Sequence, residues 1–261
     1  MVDRPIIFSA PMVRALLGGR KTQTRRLVPQ PPAECGINYM LGEESWLPVE
    51  KRTPVRRAFE AWHGPLFQNR PAGHLCGSFD ITPRFQPRDR LWVRENWQTG
   101  MSGDGPKIAY AATPDFVDVN AWDGPDEGVG PSFNYDRCQG AKWHNWLPDV
   151  LCNDGPWRPS IHMPRWASRL TLAVEGIKVE RLQDISEEDA QAEGASQYTS
   201  QTKILRPFNP DWKGEYRAGF MALWDSLHGP ESWDANPLVV ALTFRVIRAN
   251  IDAKEPSHAD R

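Results

Sequence analysis

Three segments with strong strand patterns lie far apart in this chain of 261 residues, and the stretches around them are rich in proline, glycine and charge. Residues 90–95 (Arg-Leu-Trp-Val-Arg-Glu) alternate, sending Leu91 and Val93 to one face and Trp92 and Arg94 to the other. Residues 169–179 put Leu170, Leu172 and Val174 on a face; Gly176 invites a bulge, and Ile177 and Val179 resume the pattern. Residues 238–247 are apolar enough for a buried strand. Shorter elements frame these. Residues 4–8 read as a strand, Ser9 as a helix N-cap with Pro11 in the first turn, and Gly18-Gly19 as the stop. Ser186 with Glu187, Glu188 and Asp189 resembles a capping box opening a short helix that ends at Gly194. Tyr216, Phe220, Leu223, Trp224 and Leu227 form a helical stripe closed by Gly229-Pro230. Residues 30–85 and 100–155 show weak periodicity, apart from one strand at 108–112, and read as long inserted loops. Residues 157–163 read as extended, and 250–261 as a polar tail.

Hydrophobic content of 40% and charge of 25% fit a globular protein. No apolar run reaches the length of a membrane span, and the N-terminus lacks the layout of a signal peptide, so a cytoplasmic protein with no membrane partner is expected. A net charge of −2 hides an asymmetry: residues 1–100 carry fifteen Lys/Arg against nine Asp/Glu, and the remainder sixteen against twenty-four. Arginine outnumbers lysine 23 to 8, which suits recognition of planar anions. The cysteines, Cys35, Cys76, Cys138 and Cys152, make no CxxC pair. His74 and His144 lie near two of them, but free thiols in a reducing compartment are the simpler reading, and no metal or cofactor is expected. Twelve tryptophans, among them Trp46, Trp62, Trp122, Trp143, Trp146 and Trp157 in irregular segments, serve to pin loops to a core; a stacking surface for bases is the alternative.

The chemistry concentrates at Gly19-Arg20-Lys21-Thr22-Gln23-Thr24-Arg25-Arg26. A threonine hydroxyl is a poor nucleophile unless a base takes its proton, and Lys21 stands three residues from Thr24. Crowded cations favour the neutral form of the one that can lose a proton, which lysine can do and arginine cannot. The same spacing also fits a solvated basic turn. Glu193 ends its short helix, where a carboxylate faces the negative end of the helix dipole at a cost of up to about 1 kcal/mol. A structural residue there would more naturally be basic, so Glu193 is a site candidate. Glu95, by contrast, could pair with Arg90 or Arg94. His162 reads as a hydrogen-bonded core histidine.

With Gly19-x-Lys21-x-x-Thr24-x-Arg26 placed after a helix, the chain resembles the ASCH domains of the PUA-like superfamily, whose pattern is Gly-x-Lys-x-x-x-x-Arg. Segments 8–13, 89–95, 157–166, 181–190 and 233–237 are similar to a larger, phage- and prophage-associated branch. The resemblance implies an α+β fold: one elaborated domain over residues 1–249, with a twisted, largely antiparallel β-barrel, flanking helices and the two long insertions. The Lys-Thr-x-Thr core is also similar to that of small bacterial ASCH amidohydrolases acting on N4-acetylcytidine, whose triad maps onto Lys21, Thr24 and Glu193. By that likeness Lys21 is the base, Thr24 the nucleophile and Glu193 the positioning acid. Arg26 would stabilise an oxyanion. Arg25, Trp92, Arg94 and Glu95 would line the substrate site. The implied partner is an acylated nucleoside or modified base. A non-catalytic reader of RNA or modified bases is the alternative, with RNA or DNA as partner, and a nuclease the third; the residues set no oligomeric state.

Overall fold

The computed structural model describes residues 1–28, 36–38, 55–62, 75–81, 83–103, 105–119, 121, 133–145, 157–202 and 209–253, with backbone alone for 36–38, 55–62, 75–81, 114 and 145. The expectations that rest on Trp46, Trp122, Trp146, Cys35, Cys152, His74 and residues 254–261 lie outside these residues, as do the side chains of Trp62 and Cys76. The content is mixed α+β. Contacts group the chain into two compact units, each assembled from separated stretches: Met1–Gly19, Arg90–Ala173 and Val246–Arg261 in the first, Arg20–Asp89 and Val174–Arg245 in the second.

In the first unit, β1 (Asp3–Ile7) pairs in parallel with β6 (Arg90–Arg94), Arg4 against Leu91 and Ile6 against Val93. Between them in sequence comes helix α1 (Ala10–Leu17). Ser9 is extended before the helix, but its hydroxyl makes no capping bond. Pro11 at the second helical position has no N–H, which removes one of the two donors an N-cap oxygen can use. Gly19, at φ +69°, takes the left-handed backbone that lets the chain leave the helix. Leu91 and Val93 are fully buried and Trp92 nearly so, which makes β6 a strand covered on both faces.

A second sheet, ordered β10-β7-β8-β9, joins β7 (Trp97–Ser102), β8 (Gly105–Tyr110), β9 (Thr113–Asp118) and β10 (Trp143–Asn145). Here the sequence suggested a single strand. Gly105, Pro106 and Pro114 mask the alternation, and they are tolerated because Gly105 and Pro106 open β8 while Pro114 lies on β9, at the sheet's end. The unit's core holds Trp97, Ile108, Tyr110, Cys138, Met163 and Ala167, with Trp143 and Trp166 packed against it. Trp166 thus anchors a 3-10 turn to this core, whereas Trp143, expected in an irregular segment, lies on β10. Residues 160–162, expected to be extended, form a single 3-10 turn after Pro159.

In the second unit, β2 (Gln23–Leu27) runs antiparallel to β12 (Leu238–Ile247), with Thr24 against Leu242 and Arg26 against Val240. β11 (Thr171–Arg181) belongs to both units: its first residues pair with β6, and its remainder lies in the second unit. Its buried residues shift from Leu172 and Val174 to Ile177 and Val179, a change of phase around Gly176. The resulting five-stranded order is β1-β6-β11-β12-β2, with β1 and β2 as its ends among the described residues. That is an open sheet where the resemblance implied a closed barrel. Segment 30–85, expected to be irregular, contains β3 (Gly36–Asn38), β4 (Val55–Trp62) and β5 (Leu75–Ile81), an antiparallel sheet.

Two helices complete this unit. α2 (Glu187–Ala192) is capped by the Ser186 hydroxyl, which accepts from the Asp189 N–H at 3.1 Å. α3 (Tyr216–His228) buries Ala218, Gly219, Phe220, Met221, Ala222 and Trp224. Leu227, expected on the apolar stripe, is exposed. Small residues at 218, 219 and 222 turn the buried face away from it and let the helix approach its neighbour. A Cβ on Gly219 would collide with the Ser196 carbonyl oxygen. Phe220, Met221, Trp224 and Trp233 form the core here with Leu182, Ile185 and Val239.

Candidate functional site

The basic segment after α1 goes inside. Lys21 is fully buried, and Thr24, Arg25 and Glu193 nearly so. Lys21 makes an isolated antiparallel bridge with Glu193, and the Thr22 N–H donates to the Ala192 carbonyl at 2.8 Å. This pairing lays the start of β2 along the end of α2. Gly194, at φ +79°, is the turn that lets the chain pass from helix to bridge. Lys21 Nζ then donates twice to one residue, to the Glu193 carbonyl at 2.7 Å and to its Oε2 at 2.6 Å.

Arg25 is the hub of the same cluster. Its guanidinium lies 2.7 Å from Glu180 Oε1 on β11, 3.0 Å from Asp189 Oδ2 on α2, and 3.4 Å from Glu193 Oε1. Gln23 Nε2 donates to Asp189 Oδ1 at 2.9 Å, and Lys178 Nζ meets Glu180 Oε2 at 2.7 Å. Lys21, Arg25 and Lys178 therefore oppose Glu180, Asp189 and Glu193. A balanced set of this kind is the condition under which charges can be buried at all. It also answers the dipole argument for Glu193: the cost of a carboxylate at a helix C-terminus is outweighed by two cations within hydrogen-bonding or ion-pair reach.

Burial holds the Lys21 amine below the ordinary lysine range. Glu193 opposes this by charge and hydrogen bond, while Arg26 and Arg25 add to it. Burial also lowers Arg26, with the Glu193 charge opposing. The Arg26 charge, after burial, helps hold His228 low on α3, where the imidazole stacks 4.2 Å from Trp224.

Of the residues expected in a site, the structure brings Lys21, Glu193 and Arg25 together and holds Arg26 within the same electrostatic field. Thr24 is buried on β2, and among the described residues no hydrogen bond joins its hydroxyl to Lys21. The pleat gives the reason: Gln23 and Arg25 share the face toward α2, and Thr24 and Arg26 project from the other. Arg25, expected to meet substrate, is instead committed to three carboxylates. Sequence reasoning missed Glu180 and Asp189. From sequence Asp189 reads only as part of a capped helix start; the signal that could have found both carboxylates is Arg25 itself, since an arginine on a buried strand requires carboxylates from elsewhere.

The other expected residues belong to the first unit. Trp92 is buried, with the Arg94 guanidinium 4.4 Å from its ring centre. Glu95 pairs with neither Arg90 nor Arg94 but takes a two-pronged contact from Arg169, both bonds 2.9 Å. Burial still pushes the Glu95 carboxyl up against the opposing effect of that arginine. Arg90 is bound to Asp3 at 2.8 and 2.9 Å. Among the described residues no group of three His, Cys, Asp or Glu could hold a metal ion. Cys138 is a buried thiol. No described helix is long and apolar enough to cross a membrane. No family model, curated protein or solved structure matches the chain.

Proposed function

We propose that the chain is an ASCH-type amidohydrolase acting on an acylated nucleobase or nucleoside, with Lys21 and Glu193 as its proton-transfer pair. The observation that carries this reading is the buried Lys21 amine, 2.6 Å from a carboxylate and held low by desolvation. Lowering the amine in this way favours its neutral form, the one that can act as a base. In the scheme, the Lys21 amine takes the Thr24 proton and the hydroxyl oxygen attacks the amide carbonyl carbon. The carbon–nitrogen bond breaks, and the departing exocyclic nitrogen takes the proton back from the Lys21–Glu193 pair. Water then attacks the acyl-threonine carbonyl carbon, its proton going to Lys21; the bond to the Thr24 oxygen breaks, Lys21 returns the proton to that oxygen, and the carboxylic acid leaves. Arg26 supplies positive charge for the oxyanion. The chemistry calls for no metal.

Lys21, Thr24 and Glu193 are 0%, 2% and 4% exposed. Turnover by this route therefore requires substrate entry to open the site and bring the Thr24 hydroxyl to the amine. The same burial weighs against a reader of RNA at this segment. Lys21 and Arg25 already face carboxylates, which leaves them little charge for phosphate.

The test is release of cytidine from N4-acetylcytidine, followed by chromatography. Release should be lost in Lys21→Ala and nearly lost in Lys21→Arg, because arginine cannot serve as a neutral base. Thr24→Val should abolish it and Thr24→Ser retain part. No release by the native protein, together with salt-steep binding of RNA, would replace the enzyme with the reader. Full activity in Thr24→Val would remove the nucleophile from the scheme.

A further inference from the structure

The scheme built on Lys21 and Glu193 makes no use of Arg25, although its guanidinium reaches the Glu193 carboxylate. All three guanidinium nitrogens are engaged. Nε donates to Glu180 Oε1 at 2.9 Å; Nη2 lies 2.7 Å from the same oxygen and donates to Asp189 Oδ2 at 3.0 Å. Nη1 reaches Glu193 Oε1 and Gln23 Oε1, both at 3.4 Å. Gln23 in turn donates to Asp189 Oδ1 at 2.9 Å, which fixes the second carboxylate that faces the arginine. The Phe220 ring of α3 lies 6.0 Å from the guanidinium carbon. The Arg25 side chain is fully buried, and a substrate could not displace its partners without stranding charges. Arg25 therefore acts on other protein groups.

The group it can act on is Glu193. The two oxygens of that carboxylate are made unequal: Oε2 accepts from Lys21 Nζ at 2.6 Å, and Oε1 is left to Arg25. The last torsion of a glutamate side chain is soft and roughly two-fold, so an untethered carboxylate would turn and exchange its oxygens. A contact on Oε1 removes that freedom. It is the longest of the three contacts that Arg25 makes to carboxylates, since Glu180 and Asp189 take the nearer positions. These two offset the charge of the arginine, so the tether orients Glu193 more than it binds it.

We propose, resting on the amidohydrolase reading, that Arg25 is a positioning residue: anchored by Glu180 and Asp189, it holds Glu193 by Oε1 so that Oε2 alone is presented to the Lys21 amine. Its charge acts on the same pair. The charged groups around Arg25 are Glu180 on β11, Asp189 on α2 and Glu193 at the end of α2, with Lys178 on the far oxygen of Glu180. Behind the effect of burial, Lys21 feels Glu193 as its opposing charge and Arg26 and Arg25 as cations that favour the neutral amine.

The experiment has two readouts on the full chain. The first is kcat and KM for cytidine release from N4-acetylcytidine as a function of pH. The second is the titration of the Lys21 amine by NMR of protein carrying ¹³C-lysine, the resonance being assigned from its loss in Lys21→Ala. Arg25→Gln should lower kcat roughly tenfold or more, the scale of one charged hydrogen bond, with KM little changed. It should also move the Lys21 transition, and with it the acid limb of the rate profile, to higher pH. Arg25→Lys keeps the cation and should return the transition toward the native position. It should recover only part of kcat, because a point charge cannot hold three carboxylates. Glu180→Gln keeps the acceptor for Arg25 but removes an anion, and should move the Lys21 transition to lower pH. Opposite movements in Arg25→Gln and Glu180→Gln are not what two merely structural losses would produce.

Thermal unfolding verifies that each variant is folded; if Arg25→Gln is not, the titration of Glu180→Gln decides. The proposal is overturned if the Lys21 transition stays at its native position in folded Arg25→Gln or in Glu180→Gln, or if the two variants move it in the same direction. It is also overturned if Arg25→Gln raises KM at native kcat, which would make Arg25 a substrate contact. Absence of cytidine release by the native protein would overturn the amidohydrolase reading instead, and the NMR titrations would still decide whether Arg25 governs the pair.

Discussion

Lys21 shows how far a single residue's chemistry can be read before its surroundings are known. Its spacing from Thr24 and the out-of-place charge of Glu193 were visible in the sequence, and the structure joins Lys21 to Glu193. What the sequence could not show was Arg25 between Glu180 and Asp189, because those carboxylates lie 155 and 164 residues further along the chain. Burial of Lys21 has a thermodynamic signature. Its folded-state pKa lies below the ordinary value of 10.5, so between the two the unfolded chain holds a proton that the folded chain has released. Stability contributed at this position must therefore rise with pH through that window and stay level below it. Lys21→Met lacks the titration. The stability difference between the native protein and this variant should move in favour of the native protein as pH is raised from neutrality toward about 10. Urea unfolding at a series of pH values measures it; a flat or falling difference would show that the lysine titrates as it does in water.

At the scale of elements, the agreement between sequence and structure follows packing. The strand at Leu238–Ile247 was legible to the residue because it is apolar apart from Thr243 and Arg245 and buried over most of its length. α2 was legible from its cap and its terminal glycine, both local signals. β7 and β9 were not, since glycine, proline and charge interrupt their patterns and pairing with β8 decides their state. Leu227 was misplaced because a helical stripe fixes the period but not which neighbours cover it. Two variants test the elements themselves. Ser186→Ala removes the side-chain acceptor for Asp189 and should cost about 1 kcal/mol. Because Asp189 also holds Gln23 and Arg25, a larger loss would reveal that the cap supports the buried cluster as well. Gly219→Ala gains up to about 1 kcal/mol of helix propensity. It nevertheless sets a methyl against the Ser196 backbone oxygen, and overpacking of this kind costs about 1–3 kcal/mol. A net loss is expected, because a backbone carbonyl cannot rotate aside as a side chain can. A thermal midpoint above that of the native protein would mean that α3 shifts freely.

For the whole molecule, the division into two units was not legible from composition. Each unit is completed only by returning chain: the first needs residues from 246 onward, and the second needs those from 174 to 245. Local signals describe neighbours in sequence, whereas the pairings that build this sheet join Asp3 to Arg90 and Thr24 to Leu242. Contacts of such range make folding slow compared with helical proteins of equal stability. They also make truncation severe. A chain ending at residue 236 keeps Lys21, Thr24, Arg25 and Glu193 but lacks β12. It should show no cooperative unfolding of the second unit by calorimetry or hydrogen exchange. Retention of native-like protection around residues 23–27 in that fragment would show that α2 alone can hold β2.

The placement of β2 beside β12 also sets a timetable. At about 5–20 residues per second, a ribosome that has just made Thr24 needs roughly ten to forty-five seconds more to deliver Leu242, the residue against which Thr24 pairs. Throughout that interval the strand is a nascent segment without its partner, and an apolar strand in that position would invite association with other chains. Arg20, Lys21, Arg25 and Arg26 make it one of the most water-loving stretches of the polypeptide instead. The charges that are costly to enclose in the finished molecule are thus the ones that keep the segment in solution while it waits to be enclosed.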